Sequence, residues 1–384
     1  MRARVTFAGD MLCSPGVTEK TEKIYGARDY TYAFEKIKDD LSRGDYLIGN
    51  LETPVAGEDM LFTHERYCFN TPDEFASMLK GYGFGMVCLA NNHCMDRGEK
   101  GIVRTLDALD RIGLEHTGLY RDSGERKPTV IDVNGIRIGI VNYTYGTNAF
   151  AHHIFLSERP SPMVNLFQPE ETLPGSIHLL ESDGYIAEKT AEYYGGGSAV
   201  YDEYIRPYLE RLEKDIKETK AASDILIAVM HSGGQYNPLP DAYTRQVAKT
   251  LRGCGADCIV GHHPHVIHPS WIEGGVFNAF SLGNLLCDPS DAHDPVGASY
   301  SVLLTLDIVK DSGGCRLDGA GFSVTKTLLD DHGLPYCVNA ADVSGDANAH
   351  KYVALFAGNF RFRGEADIIR ENERYFTLFE GGLL

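Results

Sequence analysis

Residues 224–234 read DILIAVMHSGG and residues 257–266 read DCIVGHHPHV. Each stretch is a short apolar run that ends in histidine, first at His231 and then within residues 262–265. Short, continuous apolar runs are typical of parallel strands that are buried on both faces. In open α/β sheets, ligands bind beyond the carboxyl ends of such strands. The two stretches therefore predict a buried parallel sheet with a histidine-rich site at one edge.

Three more apolar runs, at residues 4–9, 45–50 and 85–90, are each followed by polar side chains. If the five strands lie side by side in one sheet, their carboxyl ends meet at one edge and bring those side chains together. The candidate site residues are Asp10, Glu52, Asn92, His93, His231, His263 and His265. A mixed set of carboxylate, carboxamide and imidazole groups suits Mn, Zn, Fe or Mg, whereas an all-thiolate set would indicate structural zinc.

The other histidines need separate interpretations. On an extended backbone, a His-x-His pair such as His263 and His265 directs both rings to one side, so both are expected to face the site. His262 and His268 are interpreted as structural or outer residues. The pair at 152–153 is left out of the site, because no predicted strand fixes its geometry.

Composition bounds the class of protein. With 384 residues, the chain is long enough for one large α/β domain or two smaller ones. The formal net charge is −18, and no cluster of Lys and Arg interrupts the acidity. This excludes nucleic acid as an expected partner, because phosphate contacts need clustered cations. An anionic substrate remains compatible with a site whose metal supplies positive charge.

The expected location is the cytoplasm. No apolar run reaches the roughly 18 to 20 residues of a membrane span. The first predicted strand begins too early to leave room for a signal peptide. The nine cysteines are odd in number and several fall inside apolar strands, which favours reduced, buried thiols over a disulfide framework.

Helical patterns alternate with the strands. Asn134-Gly135 lies between apolar runs at 129–133 and 136–144, which predicts a hairpin. Apolar residues recur with helical spacing in five segments, at 30–42, 72–80, 98–112, 201–222 and 242–254. This alternation predicts a mixed, layered α/β sheet.

The expected organisation is one domain at 1–290 with a C-terminal β-rich extension of the same domain at 291–384. Within the extension, antiparallel strands are expected at 301–309 and 319–329, and a helix within 352–384. Residues 146–198 are an insertion without clear periodicity. Long irregular insertions in compact domains are usually functional or mobile, so the segment is interpreted as a cap beside the site. A surface excursion without a role is the alternative.

Six stretches between residues 6 and 286 carry a family resemblance. They read TFAGDMLCSPGV, YLIGNLETPVA, VCLANNHCMDRG, ILIAVMHSGGQYN, GADCIVGHHPHVIHP and FNAFSLGNLL. In this order they resemble the capsule-synthesis CapA (poly-gamma-glutamate synthesis) family, a branch of the calcineurin-like metallophosphatases. The resemblance implies a four-layer α/β/β/α sandwich with a metal site at its sheet edge.

The resemblance also implies roles. In block order, it implies acidic ligand Asp10, bridging carboxylate Glu52, carboxamide ligand Asn92, catalytic His93, and imidazole ligands His231, His263 and His265. Two positions depart from the family pattern. Leu12 stands where the first block usually has a histidine ligand, and residues 231–235 read HSGGQ where His-Trp-Gly-x-Glu is usual.

The expected function is a metal-dependent hydrolase that acts on a phosphoester or on an amide or isopeptide bond, such as that of gamma-linked glutamate. One or two ions of Mn, Zn or Fe would activate water and polarise the substrate. His93 would protonate the leaving group, and Asp10 is counted with it as catalytic. Asp96 either orients His93 or caps the helix that begins near Gly98, and the cap is the favoured interpretation.

Two other functions remain open. Asp10 and neighbouring histidines can act as a metal-free acid/base pair, which would make the protein a peptide epimerase or isomerase. The constellation can also persist in a non-catalytic factor for polymer synthesis. The substrate is expected to be a small molecule, a peptide or a polyglutamate-like chain. A net charge of −18 disfavours long-range attraction of an acidic polymer, so a small or neutral substrate is equally compatible.

Overall fold

The computed structural model describes residues 1–14, 16–63, 68–157, 161–173, 199–290, 296–358, 360, 369–370 and 374–382. Part of the predicted insertion, residues 158–160 and 174–198, and most of 359–373 lie outside the described residues. Among the described helices, none combines the length and the apolar content that crossing a membrane requires.

The described strands are, in chain order, β1 (Arg2–Met11), β2 (Tyr46–Leu51), β3 (Phe84–Cys88), β4 (Glu115–Thr117), β5 (Thr129–Val133), β6 (Ile136–Thr144), β7 (Ile225–His231), β8 (Cys258–His262), β9 (Ser270–Glu273), β10 (Val276–Ala279), β11 (Asn284–Leu286), β12 (Tyr300–Asp311), β13 (Gly314–Leu329), β14 (Pro335–Asn339), β15 (Ile369–Arg370) and β16 (Phe376–Glu380). The described α-helices are α1 (Val17–Tyr25), α2 (Lys38–Leu41), α3 (Asp73–Gly81), α4 (Gly98–Ile112), α5 (Ala149–His152), α6 (Ala199–Ala222), α7 (Ala242–Cys254) and α8 (Ala347–Ala357).

These strands form two sheets. The first has the order β15-β16-β13-β12-β1-β2-β3-β4, with β11 paired to β1 and β14 paired to β13. The second has the order β5-β6-β7-β8-β10-β9. The five strands expected to carry the site are therefore divided between two sheets, with β1, β2 and β3 in one and β7 and β8 in the other. The arrangement of all five strands in one sheet does not occur, and the two sheets are those of the α/β/β/α sandwich that the family resemblance implies.

The two sheets pack face to face through a continuous apolar cluster. Val5 and Phe7 from β1 and Ile138 and Ile227 from β6 and β7 belong to this cluster and are fully buried or nearly so. Burying a side chain of this size contributes about 1.5–3 kcal/mol, so the interface between the sheets is a main source of stability. Because the central strands are covered by the other sheet on their inner face and by helices on their outer face, their apolar runs are continuous rather than alternating.

Helices cover the outer faces. Helices α3 and α4 pack on the first sheet through a second cluster, and α6 and α7 pack on the second sheet through a third. Ile102, Leu106 and Leu109, the predicted apolar face of α4, are completely buried. The layers therefore follow the order α/β/β/α, and the predicted α/β sandwich fold is confirmed.

Local sequence explains several elements directly. The hairpin between β5 and β6 turns at Asn134 and Gly135, which have φ values of 55° and 82°. Two successive positive φ angles are what a type I′ turn requires, and Asn-Gly adopts them with little strain. Asp241 caps α7, since its side chain accepts a hydrogen bond from the backbone N–H of Thr244.

The segment at 30–42 differs from the single helix expected. It consists of two 3-10 turns, Thr31–Ala33 and Glu35–Ile37, followed by the four-residue α2. Phe34 and Ile37 are both completely buried. Their spacing of three residues places them on one side of a 3-10 turn, so burial of both side chains accounts for the tighter winding.

The C-terminal part also differs in detail. Its described helix, α8, begins after Asp346 and ends at Ala357, earlier than the range expected. Residues 376–380, which lie in the range where a helix was expected, form β16 and pair with β13. The two predicted antiparallel strands are present as β12 and β13, and β12 pairs with β1. Residues 300–311 thus share a sheet with the N-terminal strand.

Candidate metal centre at the sheet edges

The carboxyl ends of β1, β2, β3, β7 and β8 meet where the two sheets face each other. Strand register sets the neighbours there, because Asp10 is aligned with Asn50 and Asn284, and His231 is aligned with His262. The side chains expected at the site are all buried, with exposed fractions of 6% or less: Asp10, Glu52, Asn92, His93, His231, His263 and His265. The structure brings this set to one end of the interface between the sheets.

Asp10 links the two sheets. Its carboxylate accepts hydrogen bonds from Asn50 Nδ2 of β2 at 2.8 Å and from His262 Nδ1 of β8 at 2.9 Å. It also accepts one from the backbone N–H of His263 at 3.2 Å. Gly9 allows this arrangement, because a Cβ there would lie 2.1 Å from the carbonyl oxygen of Gly283.

Glu52 lies opposite two imidazoles. Its Oε1 atom is 3.4 Å from His231 Nε2 and 3.6 Å from His265 Nε2. This oxygen is fully buried and accepts no hydrogen bond from the described residues. Leaving a buried acceptor unsatisfied costs about 1–3 kcal/mol, and more when the group is charged. Such an oxygen therefore calls for a functional explanation.

Two overlapping groups of three side chains have the spacing of a metal site among the described residues. One is Glu52, His263 and His265, and the other is Asp10, Glu52 and His231. Within each group, one candidate ligand atom from every residue lies within 4.8 Å of the others. Glu52 belongs to both groups. Carboxylate oxygen together with imidazole nitrogen is a donor set that suits Mn, Zn or Fe, so the residues present fit a divalent ion.

The hydrogen bonds of His265 also suit a ligand. Its Nδ1 donates to Asn284 Oδ1 at 2.8 Å, which fixes the tautomer and leaves Nε2 directed towards Glu52. Asn284 is fixed in turn, because its Nδ2 donates to the carbonyl of Ala298 at 3.0 Å. Metal-binding histidines usually have their second ring nitrogen held by such a partner.

The backbone of the His-x-His segment is not extended. His263 has a φ of 101° and His265 a φ of 57°, both in the left-handed region. Non-glycine residues there cost of order 1–3 kcal/mol each and concentrate at functional sites. The extended backbone expected for the pair was therefore wrong, although both side chains reach the site. Gly261 precedes the strained segment, and a Cβ there would lie 2.0 Å from the carbonyl oxygen of Phe280.

Burial and neighbouring charges together set the pKa values of the ionisable groups in the site. Burial opposes ionisation of Asp10, but hydrogen bonds and charge from His262 and His265 outweigh it and hold its pKa well below the usual range. Burial raises the pKa of Glu52 to about 8, against the opposing influence of His265. Burial lowers the pKa of His265, but Glu52 and Asp10 overcome it and raise the value to about 9. Burial holds the pKa of His231 well below its usual value. A bound cation would favour deprotonated Glu52 and His265.

Asn92 and His231 form a direct pair. His231 Nε2 donates to Asn92 Oδ1 at 2.8 Å, and Asn50 Nδ2 lies 3.4 Å from the other ring nitrogen, Nδ1. The ring of Tyr145 lies nearly parallel to that of His231, with centroids 6.4 Å apart. The Tyr145 ring is also 4.6 Å from the ring of His263. The Tyr145 ring thus lies beside the imidazoles of both His231 and His263.

His93 is paired with Asp96. His93 Nδ1 lies 2.7 Å from Asp96 Oδ2, and because an ionised carboxylate only accepts, Nδ1 carries the proton. Burial opposes charge on Asp96, but His93 and His152 lower its pKa below the usual value. The N-terminal cap of α4 is Arg97, which makes no side-chain cap bond. The favoured interpretation of Asp96 as a helix cap was therefore wrong.

The two departures from the family pattern lie next to the end of β1 and in the loop after β7. Leu12 extends β1 with a backbone hydrogen bond to Leu286 and offers no ligand atom. In the loop after β7, Gly234 N–H donates to Asp241 Oδ2 at 2.6 Å, which ties the loop to the start of α7. Ser232 Oγ is buried and makes no hydrogen bond with the described residues.

Sequence reasoning missed three asparagines that contact the set, Asn50, Asn91 and Asn148, and one histidine, His152, that contacts Asp96. Asn50 lies near the carboxyl end of β2, Asn91 follows the apolar run 85–90 that contains β3, and Asn148 and His152 come from the insertion. A carboxamide at the end of an apolar strand was the available signal for the first two. Nothing in the local pattern marked the other two, because their positions depend on how the insertion folds back.

The fold and the buried carboxylate–imidazole cluster together define an α/β sandwich of the metallophosphatase type. The sequence profile of the family described as "Bacterial capsule synthesis protein PGA_cap" matches residues 4–289, and the chain belongs to this family. The predicted family membership is confirmed.

Named relatives agree with this membership. The "PGA biosynthesis protein CapA" of Bacillus subtilis (strain 168) is 26% identical over 286 residues, which cover 74% of this chain and 63% of the relative. The "Capsule biosynthesis protein CapA" of Bacillus anthracis is 27% identical over 290 residues, covering 74% and 59%. A "Probable polyglutamine synthesis accessory protein" of Mycobacterium tuberculosis (strain CDC 1551 / Oshkosh) is 22% identical over 245 residues, covering 64% and 56%. The chain thus spans about 60% of the length of these two Bacillus relatives.

Proposed function

We propose that this protein is a metal-dependent hydrolase. The observation that carries the proposal is the Glu52 carboxylate, which is fully buried between two groups of potential ligands and has an oxygen without a hydrogen bond from the described residues. A structural role would leave that oxygen as a net cost to folding. A divalent ion would satisfy it and would compensate the charge of the buried carboxylates.

The ion would be held by the carboxylate, carboxamide and imidazole groups at the strand ends. The proposed ligands are Asp10, Glu52, Asn92, His231, His263 and His265. One or two ions are compatible with this set, and Mn, Zn and Fe suit its mixed oxygen and nitrogen donors. A bound divalent ion supplies an acidified water and polarises a phosphoryl or carbonyl oxygen.

His93 is the proposed acid. Its Nδ1–H is committed to Asp96, so Nε2 is the nitrogen that can exchange a proton with a substrate. The ring of Phe69 packs against it with centroids 4.3 Å apart, which fixes the plane of the imidazole. In this role His93 gives a proton to the leaving group as the scissile bond breaks.

Asp10 is proposed to act through its charge. Its low pKa keeps it ionised, and its position between Asn50 and His262 fixes its orientation. An ionised Asp10 supports proton transfer by the neighbouring imidazoles and completes the ligand set. Loss of its charge would therefore affect both binding and chemistry.

The substrate is proposed to contain a phosphoester or an amide or isopeptide bond. The names of two relatives refer to PGA and polyglutamine synthesis, which favours a polyglutamate-like chain or a fragment of one. The net charge of −18 opposes the approach of a long acidic polymer, which favours a short or neutral substrate. A short gamma-linked glutamyl peptide satisfies both considerations better than a long chain.

A second candidate function is acid/base epimerisation without a metal. It is favoured by the direct Asp10–His262 contact and by Leu12, which removes one ligand of the family pattern. In this reaction a base would remove a proton next to a carbonyl and an acid would return it to the opposite face. If the protein catalyses neither reaction, a non-catalytic role in polymer synthesis is the third candidate, because the names of two relatives refer to biosynthesis and to an accessory role.

The experiment compares hydrolysis of a generic phosphodiester and of short gamma-glutamyl peptides by chelated and Mn- or Zn-loaded protein. Activity should vanish on chelation and return with the metal. His265→Ala should lower it by more than about 100-fold, since even residues outside the ligand shell typically cost 10- to 100-fold. The matched control is His332→Ala, at an exposed histidine in the turn before β14, which should leave activity unchanged.

Each outcome selects a function. Metal-independent exchange of a carbon-bound hydrogen in deuterated water would replace hydrolysis by epimerisation. Absence of both reactions, with full tolerance of chelation, would leave the non-catalytic role.

A further inference from the structure

The inserted segment delivers two side chains to Asp96. His152, the last residue of α5, places Nε2 at 2.9 Å from Asp96 Oδ1. Asn148, which precedes α5, accepts a hydrogen bond from Asn92 Nδ2 at 3.0 Å through its own Oδ1. Its Nδ2 lies 3.5 Å from Asp96 Oδ1. One short segment therefore contacts both the proposed ligand Asn92 and the partner of the proposed acid.

Both oxygens of Asp96 are occupied by donors from separate parts of the chain. Oδ2 accepts from His93 Nδ1 at 2.7 Å and from the backbone N–H of Phe69 at 2.6 Å. Oδ1 accepts from His152. Asn148 Nδ2 is also 3.2 Å from His93 Nδ1, but that nitrogen already donates to Asp96, so the amide is directed to Asp96 Oδ1 instead.

The segment is fixed in place by a buried carboxylate. Glu170 Oε2 accepts hydrogen bonds from the backbone N–H groups of Thr147 at 2.8 Å and of Ala149 at 2.9 Å. Gly146 makes room for it, since a Cβ there would lie 2.5 Å from the same oxygen. Asn148 between these two N–H groups has a φ of 53°, which asparagine tolerates better than most residues. The strained backbone is thus held on both sides of Asn148.

We propose that His152 and Asn148 are positioning residues for His93, acting through Asp96. His152 holds Oδ1, so that Oδ2 stays directed to His93. Asn148 ties the carboxamide of Asn92 to the same carboxylate, so the ligand side and the acid side of the site keep one alignment. This inference rests on the proposed function in that His93 is taken as the acid. The positioning itself does not depend on turnover.

Four variants separate positioning from packing. His152→Ala removes the donor to Asp96, and His152→Gln restores an N–H donor near the same position. Asn148→Gly removes the amide and keeps the backbone free of strain, because glycine adopts positive φ readily. The matched control is His153→Asn, at the neighbouring exposed histidine, whose φ is 53° and suits asparagine.

The first readout is NMR of the chelated, full-length protein with 15N-labelled histidine. The His93 Nδ1–H bonded to Asp96 should give a low-field proton signal, assigned by its loss in His93→Gln. We expect His152→Ala and Asn148→Gly to shift this signal upfield or to broaden it by solvent exchange. His152→Gln should restore it, and His153→Asn should leave it unchanged.

The second readout is the kinetics of metal-loaded protein on the substrate found for the wild type. His152→Ala should lower kcat by about 10- to 100-fold, with KM and bound metal close to wild type, as expected for loss of an orienting partner. His152→Gln should recover most of the loss. A purely structural role predicts equal thermal destabilisation without this selective loss of kcat.

The results decide the proposal as follows. An unchanged His93 signal in both His152→Ala and Asn148→Gly overturns it, whether or not the protein hydrolyses anything. A shifted signal with no hydrolysis by the wild type supports positioning and rejects the hydrolase. If His152→Ala does not fold, Asn148→Gly is judged by the same two results.

Discussion

His268 offers a quantitative test of how burial controls charge near the site. Its Nε2 donates to the carbonyl of Asn237 at 2.7 Å, and its Nδ1 is buried without a hydrogen bond from the described residues. Burial lowers the pKa of His268 to about 4, against smaller opposing effects of Asn237 and Asp241. An imidazole in an unfolded chain has a pKa of about 6.5.

The pKa of His268 is lower in the folded protein than in the unfolded chain, so acid destabilises the fold. The unfolded chain binds a proton more tightly than the folded protein, so protonation favours unfolding. The stability associated with neutral His268 is present above pH 6.5 and is lost as the pH falls towards 4. Linkage gives a loss of about 2 kcal/mol between pH 7 and pH 5, rising to about 3 kcal/mol at pH 4.

His268→Gln is the informative substitution, because glutamine can keep a donor to Asn237 and does not titrate. The assay is urea denaturation of chelated wild type and variant at pH 7, 6 and 5. At pH 7 the variant should be equal to or less stable than the wild type. The difference in free energy of unfolding should then move in favour of the variant by about 2 kcal/mol at pH 5. A difference that does not vary with pH would refute the reasoning.

Three further predictions concern residues around the site. Glu52→Gln should raise the free energy of unfolding of chelated protein by about 1–3 kcal/mol at pH 7, because a carboxyl with a pKa raised to about 8 is costly to bury. The substitution should also abolish any rise in Tm caused by Mn or Zn. A chelated variant less stable than wild type would contradict this prediction. Gly261→Ala should lower the free energy of unfolding, measured by urea denaturation, by more than about 3 kcal/mol, because its Cβ would lie 2.0 Å from the Phe280 carbonyl oxygen. The control Gly253→Ala, which has open space around it in α7, should be neutral or stabilising by up to about 1 kcal/mol. Equal stabilities of the two variants would show that the close approach at Gly261 is not rigid. Asp241→Ala should lower the free energy of unfolding by about 2 kcal/mol, because the carboxylate accepts hydrogen bonds from Thr244 N–H at 2.8 Å and from Gly234 N–H at 2.6 Å. The measurement is thermal denaturation, and an unchanged Tm would mean that neither hydrogen bond contributes to stability.

Local patterns in the chain were sufficient for the layers of the fold. Continuous apolar runs such as 225–230 mark strands buried on both faces, and Ile102, Leu106 and Leu109 mark the buried face of α4. Local patterns could not assign the strands to sheets, because a strand that packs against a facing sheet has the same apolar sequence as one that packs beneath a helix. The division of β1 and β7 between two sheets therefore required the structure.

The candidate site was predictable where side chains follow strands directly. Asp10 and His231 lie at the carboxyl ends of β1 and β7, and Glu52 directly follows β2, so the ends of the apolar runs were sufficient to find them. Their roles as ligands stay predictions. The conformation of His263 and His265 was not predictable, because left-handed backbone at a histidine is held by tertiary contacts rather than by local preference.

The contact between Asp96 and His152 could not be predicted from local sequence. The short sequence before α4 is as suited to a helix cap as to a partner for His93, and the choice depends on a backbone N–H of Phe69 and an imidazole from the insertion. Both reach Asp96 from sequence separations of 27 and 56 residues. No local pattern specifies contacts over such distances.

The most direct test of the central claim is the metal content of the protein, measured by plasma mass spectrometry after purification without a metal-binding tag. The proposed centre predicts about one to two equivalents of Mn, Fe or Zn, lost in His263→Ala and retained in His332→Ala. Less than about 0.1 equivalent, unchanged after incubation with each metal, would contradict a metal-dependent hydrolase, since a site with these ligands should bind divalent ions in the folded state.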